Sequence, residues 1–197
     1  MGIFSRLSDI LKANINDMLD KAEDPEKLVK QIIVDMQKDF IDGSLGTKEA
    51  VAILPRVAER LKQARRDGER VVFTRDTHHE NYLSTQEGRN LPVVHCVEGT
   101  DGWQIDRTLT VGDSMVFDKP GFGSEALTSY LKSLPDLAQV EFIGLCTDIC
   151  VITNAMMVKG ALPEVPLSVR ADCCAGVTPE SHENALAAMK LCQIQIL

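Results

Sequence analysis

Along most of the chain, short apolar runs alternate with stretches whose apolar residues recur every three or four positions. The runs are QIIVD (31–35), RVVFTRD (70–76), DSMVFDK (113–119), VEFIGLC (140–146), PLSVRAD (166–172) and QIQIL (193–197). Between them PRVAERLKQARRDG (55–68), SEALTSYLKSL (124–134), DICVITNAMMVKG (148–160) and PESHENALAAMKLC (179–192) read as helices. Apolar strands alternating with helices predict a three-layer α/β fold: a six-stranded, mostly parallel sheet in Rossmann-like order with helices on both faces. Gly68 and Gly160 are placed to end helices, and Pro179 to start one.

The beginning of the chain follows another pattern. Residues 3–22 set Ile3, Phe4, Leu7, Ile10, Leu11, Ile15, Met18 and Leu19 on one side of a helix, with Arg6, Asp9, Lys12, Asp17 and Asp20 mostly opposite. Asp24 followed by Pro25 is a stop-and-restart signal. The expected organisation is therefore an amphipathic helix within 1–27 and an α/β domain over 28–197. At the junction, LVKQIIVDMQKDF (28–40) carries both periodicities. Leu28, Ile32, Met36 and Phe40 recur every four positions, as on a helix, whereas Ile32, Ile33, Val34 and a closing acid suit a buried strand.

In a parallel α/β sheet, ligands bind at the carboxyl ends of the strands. Here those ends carry Asp35, then Asp76 and His78, then Lys119, then Cys146, Thr147, Asp148 and Cys150. An acid, a lysine and a cysteine from three strand ends suit one pocket. Cys150 would fall in the first turn of a helix, whose unpaired N–H groups and positive dipole end favour a thiolate nucleophile. Asp35 would accept the thiol proton, Lys119 would hold the acid charged, and backbone N–H groups around Cys146 and Cys150 would receive an oxyanion. The plainer alternative is a packing cysteine, a turn aspartate and a loop lysine.

Asp76, His78, Glu87 and His95 form a second constellation. Asp-x-His after a strand points two side chains the same way, and carboxylate with imidazole suits zinc, manganese or iron. His79 and Glu80 point elsewhere on an extended segment. A polar surface loop is the competing reading.

Bulk properties narrow the class. A chain of 197 residues, 44% hydrophobic, can bury a substantial core. A formal charge of −8 argues against a phosphate-binding surface, so nucleic acid is not an expected partner. No apolar run is long enough to span a bilayer, no secretory leader is legible, and Arg6 breaks the myristoylation pattern, so a cytoplasmic protein is expected. The six cysteines are expected to be reduced, Cys173 and Cys174 pointing to opposite faces of a strand.

The segments VDMQKDF, RDTHHE, LPVVHCVEGT, VFDKPGFGS and FIGLCTDICV, in this order, resemble the isochorismatase-like cysteine hydrolases over residues 31–197, the nicotinamidase branch most of all. The resemblance implies a catalytic triad of Asp35, Lys119 and Cys150 and a cis peptide before Cys146 that shapes the oxyanion hole. It also implies a metal held by Asp76, His78 and His95 with a variable third ligand, for which Glu87 is chosen and Ser84 is a weaker contender. Phe40 matches the family's pocket-wall aromatic. The implied reaction is hydrolysis of a small carboxamide through a thioester, nicotinamide to nicotinate first, with the metal receiving the pyridine nitrogen. Pyrazinamide, carbamoylated amines and other small amides are alternatives.

Residues 1–31, beginning MGIFSRLSDILKANINDMLDKAEDPEKLVKQ, resemble the start of phage shock protein A. That implies peripheral contact of residues 1–22 with the inner face of a membrane. The alternatives are a helix docked on the hydrolase or on a second copy in a homo-oligomer. The rival reading of the whole chain is a membrane-surface or scaffold module with an inactive hydrolase body. Lys30 and Gln31 stand where the hydrolases prefer apolar residues, so a short or frayed first strand is expected.

Overall fold

The computed structural model describes residues 29–197. The helix expected over 3–22, and the 1–27 unit as a whole, lie outside the described residues. The strands are β1 (Val29–Asp35), β2 (Arg70–Asp76), β3 (Met115–Lys119), β4 (Leu137–Leu145), β5 (Leu167–Ala175) and β6 (Gln195–Ile196). The helices are α1 (Lys38–Ile41), α2 (Lys48–Arg66), α3 (Gln86–Asn90), α4 (Glu125–Lys132), α5 (Ile152–Ala161) and α6 (Pro179–Leu191). Strand order is β3-β2-β1-β4-β5-β6. Every pairing is parallel, where the sequence led us to expect a mostly parallel sheet.

Within the ambiguous junction, Val29–Asp35 is a strand. β1 pairs with β2 and β4, so both of its faces are covered: Ile32 and Val34 enter one core and Ile33 the other. A single helix would hide only one stripe. The four-residue period persists because Met36 and Phe40, beyond the strand, return to the core that holds Ile32. β1 spans seven residues and is regular from Gln31, which is fully buried and in register with Arg70 and Val140; its start is irregular as expected, with a register shift against β4 between Val29 and Lys30.

The two cores make the layers. α2 covers one face with Ala50, Ile53, Val57, Leu61 and Ala64. α4, α5 and α6 cover the other through Leu127, Leu131, Ala155, Val158, Leu186 and Met189. Cys173 and Cys174 enter opposite cores, as strand alternation requires. α2 starts seven residues before Pro55, because Thr47 caps it by accepting from the Ala50 N–H at 3.0 Å. Gly160 does not stop α5, which runs through it to Ala161. Gly68, with φ +71°, does follow the end of α2. Among the described residues no helix is long and apolar enough to cross a membrane.

β1 and β4 are spatial neighbours but not sequence neighbours, and the crossovers leave them toward opposite faces. The crevice beyond their carboxyl ends is the switch point where this topology binds ligands. There Gly144 pairs with Asp35 in register. Its φ is +114°, and a Cβ added to it would lie 2.3 Å from the Asp35 carbonyl oxygen. Gly144→Ala is therefore expected to cost about 3 kcal/mol, from disfavoured backbone and a collision that only moving β1 relieves. Urea unfolding checks this: an unchanged midpoint would mean that the two strands separate freely at this point.

Candidate active site

Three strand ends meet in one buried cluster. Lys119 Nζ lies 3.2 Å from Cys150 Sγ, 3.3 Å from Asp35 Oδ2 and 3.4 Å from Asp76 Oδ1. β2 and β3 set this up by pairing Asp76 with Lys119, and β1 brings Asp35 alongside through its pairing with β2. Beyond β4 the chain makes a π-helical turn, Thr147–Val151, which carries Cys150 into the cluster. The Leu145–Cys146 peptide is cis. The Ile149 and Val151 N–H groups both donate to the Cys146 carbonyl, and the turn is braced from α6 by a 2.8 Å contact between Thr147 Oγ1 and His182 Nδ1.

Burial governs the electrostatics. It raises the Asp35 carboxyl to about 6, against the opposing pull of the Lys119 charge. Burial alone would lower Lys119, but Asp35, Cys150 and Asp76 together hold it well above an ordinary lysine. Cys150 is pushed well above an ordinary thiol by burial, which Lys119 only partly offsets. Desolvation in a site this enclosed therefore opposes the dipole of the helix start, which favours the thiolate. Both Asp35 oxygens are buried; Oδ2 faces the Lys119 ammonium at 3.3 Å and Oδ1 has no hydrogen-bond partner among the described residues, which leaves capacity to accept a proton.

Asp76, His78, Glu87 and His95 also come together. Each offers one ligand atom, and the four atoms lie within 4.8 Å of one another. His78 Nε2 is 3.4 Å from Asp76 Oδ2 and 3.5 Å from Glu87 Oε1. His95 Nε2 is 3.9 Å and 3.7 Å from the same two oxygens. His95 Nδ1 lies 2.8 Å from the Val93 carbonyl, which can only accept, so Nδ1 carries the proton and Nε2 presents its lone pair. His78 Nε2 is buried without a hydrogen-bond partner, while Asp76 Oδ1 faces the Lys119 ammonium at 3.4 Å and leaves Oδ2 toward the two imidazoles. Two carboxylates and two imidazoles whose ligand atoms converge, with His78 Nε2 unsatisfied and His95 Nε2 presenting its lone pair, fit a divalent cation. Ser84 is exposed and its hydroxyl donates to the Asn81 carbonyl, apart from this group. His79 is likewise turned outward, 3.5 Å from Glu98, and Glu80 is exposed.

Three supporting residues are given no role by any motif that the sequence marks out. Gln37 accepts from the Asp76 N–H at 2.5 Å through Oε1 and donates to the Asp76 carbonyl at 2.8 Å through Nε2, fixing the backbone of a ligand residue. Asp39 accepts from the Cys96 N–H at 2.7 Å, holding the residue next to His95. Tyr82 packs its ring 4.6 Å from His78 and 5.0 Å from His95. Gln37 and Asp39 lie inside VDMQKDF, where two buried polar residues just after a strand were the only available signal.

Both clusters open into one pocket of about 690 Å³, lined among others by Phe40, Cys146 and Cys150. Phe40 stands edge-on to His95 at 5.6 Å between ring centroids.

A Rossmann-ordered parallel sheet with a buried thiol, ammonium and carboxylate at its switch point defines the chain as a three-layer α/β enzyme. It belongs to the isochorismatase family, whose Isochorismatase domain matches residues 31–197. The nicotinamidase/pyrazinamidase of Mycobacterium tuberculosis is 29% identical over 183 residues, covering 84% of this chain and 96% of that protein. The crystal structure of the Pyrococcus horikoshii pyrazinamidase in complex with zinc has a TM-score of 0.74 at 30% identity, covering 85% of this chain and 97% of that one. A short stretch matches other proteins. The membrane-associated protein Vipp1 of Synechocystis is 41% identical over 63 residues, 32% of this chain, and phage shock protein A homologues match similarly short lengths. The chain spans about a quarter of the length of that Vipp1 protein.

Proposed function

We propose that the chain is a cysteine amidohydrolase acting on a small carboxamide, with nicotinamide to nicotinate and ammonia as the leading reaction. One observation carries the reading: the Lys119 ammonium lies within 3.4 Å of Cys150, Asp35 and Asp76, beside a four-residue metal-ligand set in the same pocket. Cys150 Sγ attacks the amide carbon while its proton passes to Asp35. The carbon–nitrogen bond then breaks, and Asp35 returns the proton to the departing ammonia. Water, deprotonated by Asp35, attacks the thioester, giving the acid and restoring the thiol. Lys119 keeps Asp35 oriented, and backbone N–H groups at Cys146 and Cys150 face the oxyanion. A zinc, manganese or iron ion held by Asp76, His78, Glu87 and His95 would supply a Lewis acid that orients the substrate.

The test is ammonia release from nicotinamide by the full chain, loaded in turn with zinc, manganese or iron(II) and stripped by a chelator. Metal-dependent release is expected. Silence of the folded, metal-loaded protein toward nicotinamide, pyrazinamide and other small amides would overturn the reading.

A pH dependence follows from Asp35. Its carboxyl is raised to about 6, so it holds a proton below that value and is a base above it. The expected kcat/KM falls about tenfold per pH unit on the acid side of this limb. A profile flat down to pH 4.5 would remove Asp35 from the proton path.

The Vipp1 and phage shock matches favour a second property, contact of residues 1–22 with a membrane surface, which would place a cytoplasmic enzyme at the inner face. Flotation of the full chain with anionic liposomes, lost on deletion of residues 1–27, is the expected result. No flotation of the full chain would reject it.

A further inference from the structure

Resting on the amidohydrolase reading, we propose that the preferred substrate is an uncharged carboxamide whose acyl group extends beyond a single ring. The outer half of the pocket selects this extension and rejects one that bears a carboxylate.

Size is the first argument. A cavity of about 690 Å³ falls among those that take drug-sized ligands, about 300–1,000 Å³. A monocyclic amide fills a minor part of it.

Exposure then divides the cavity into two zones. Asp76, His78, His95 and Cys150, on the floor, are at most 6% exposed. Leu91, Phe122 and Val177, on three separate connections, also line it yet are 37%, 45% and 54% exposed. With the exposed Gln86 and Asn90 beside them, they give a largely apolar outer zone to a cavity whose buried part is titratable. An acyl group that reaches them removes apolar surface from water, which a small ring seated on the floor leaves uncovered.

Charge sets the other limit. Among the described residues no lysine or arginine lines the cavity, and the Lys119 ammonium below it is engaged by Asp35, Asp76 and Cys150. Thr85, Gln86 and Asn90 add only uncharged polar groups to the wall. A carboxylate carried into the outer zone would lose water and gain no cation.

The experiment compares nicotinamide, 5-phenylnicotinamide and 5-(4-carboxyphenyl)nicotinamide. Ammonia release is followed with the metal-loaded full chain, and Kd is measured by calorimetry on metal-loaded Cys150→Ala, which binds without turnover. The phenyl compound is expected to exceed nicotinamide at least tenfold in kcat/KM, chiefly through KM, and to bind correspondingly tighter. The added carboxylate should abolish that gain. Equal or better performance by nicotinamide, or a carboxylate as good as the phenyl compound, overturns the inference. If the Kd order is as expected but no compound releases ammonia, the amidohydrolase reading fails while the selectivity of the pocket stands.

Discussion

Cys150→Ala is expected to reduce kcat for ammonia release by roughly 10⁵- to 10⁶-fold, the scale seen when an attacking group is removed from a protease. The reason is positional. Cys150 Sγ is 3.2 Å from the Lys119 ammonium on a turn held by Ile149, Val151 and His182, and no other thiol occupies that place among the described residues. Cys146, the other cysteine that lines the pocket, packs against the core on the α2 side. Only one sulfur is removed, so the cost in stability should stay near 1 kcal/mol, and loss of activity cannot be ascribed to unfolding. Cys150→Ser should rescue little, because Asp35, a base with a pKa of about 6, takes a proton from an alcohol far less readily than from a thiol. Retention of activity within tenfold in the alanine variant would assign attack to another group or to water.

Lys119→Met is expected to damage both stability and activity. The Lys119 side chain has no solvent exposure and pairs with Asp35 and Asp76, themselves at most 4% exposed. Removing the cation leaves two carboxylates buried and close together, at a cost of about 3–5 kcal/mol. The sign of the pH dependence follows. Lys119 lowers Asp35 against the rise due to burial, so without it the Asp35 value climbs above about 6. A carboxyl raised in the folded state binds its proton more tightly than in the unfolded chain. The variant should therefore recover part of its stability as pH falls toward 5, when Asp35 becomes neutral, and lose it again as pH rises. Denaturant unfolding of metal-free wild type and variant at pH 5 and pH 8 provides the measurement. An equal deficit at both values would show that Asp35 is not the carboxylate left unpaired. The acid limb of any residual activity should move upward with Asp35, which separates loss of the ion pair from a general loss of packing.

The placement of the candidate site residues was legible in the sequence to the extent that it obeys local rules. Asp35, Asp76, Lys119 and Cys150 each stand at or just beyond the end of an apolar run, and a parallel sheet gathers such ends on one edge. His78 follows Asp76 at the spacing of an extended chain, so that pair was readable too. Glu87 and His95 needed the long connection to fold back. His78 N–H donates to the Cys96 carbonyl and Glu98 N–H to the His78 carbonyl, each at 2.9 Å, tying residues distant in sequence. No spacing predicts such a tie. Gln37 was passed over for the same reason, since its role appears only when β1 and β2 lie side by side and its amide spans the backbone of Asp76.

The sequence by itself determined the alternation of strands and helices, the residue types at the strand ends and the helix start at Pro179, because periodicity, β-branching and helix-start preferences act over a few neighbouring residues. Tertiary structure alone decided the identity of Val29–Asp35, in a segment where both periods coexist and only cover on two faces makes β1 a strand. It alone decided how deeply Cys150 is buried, and so how strongly desolvation opposes the pull of the helix start on the thiol. It also set Gly144 against Asp35, a contact fixed by the register of two strands more than a hundred residues apart.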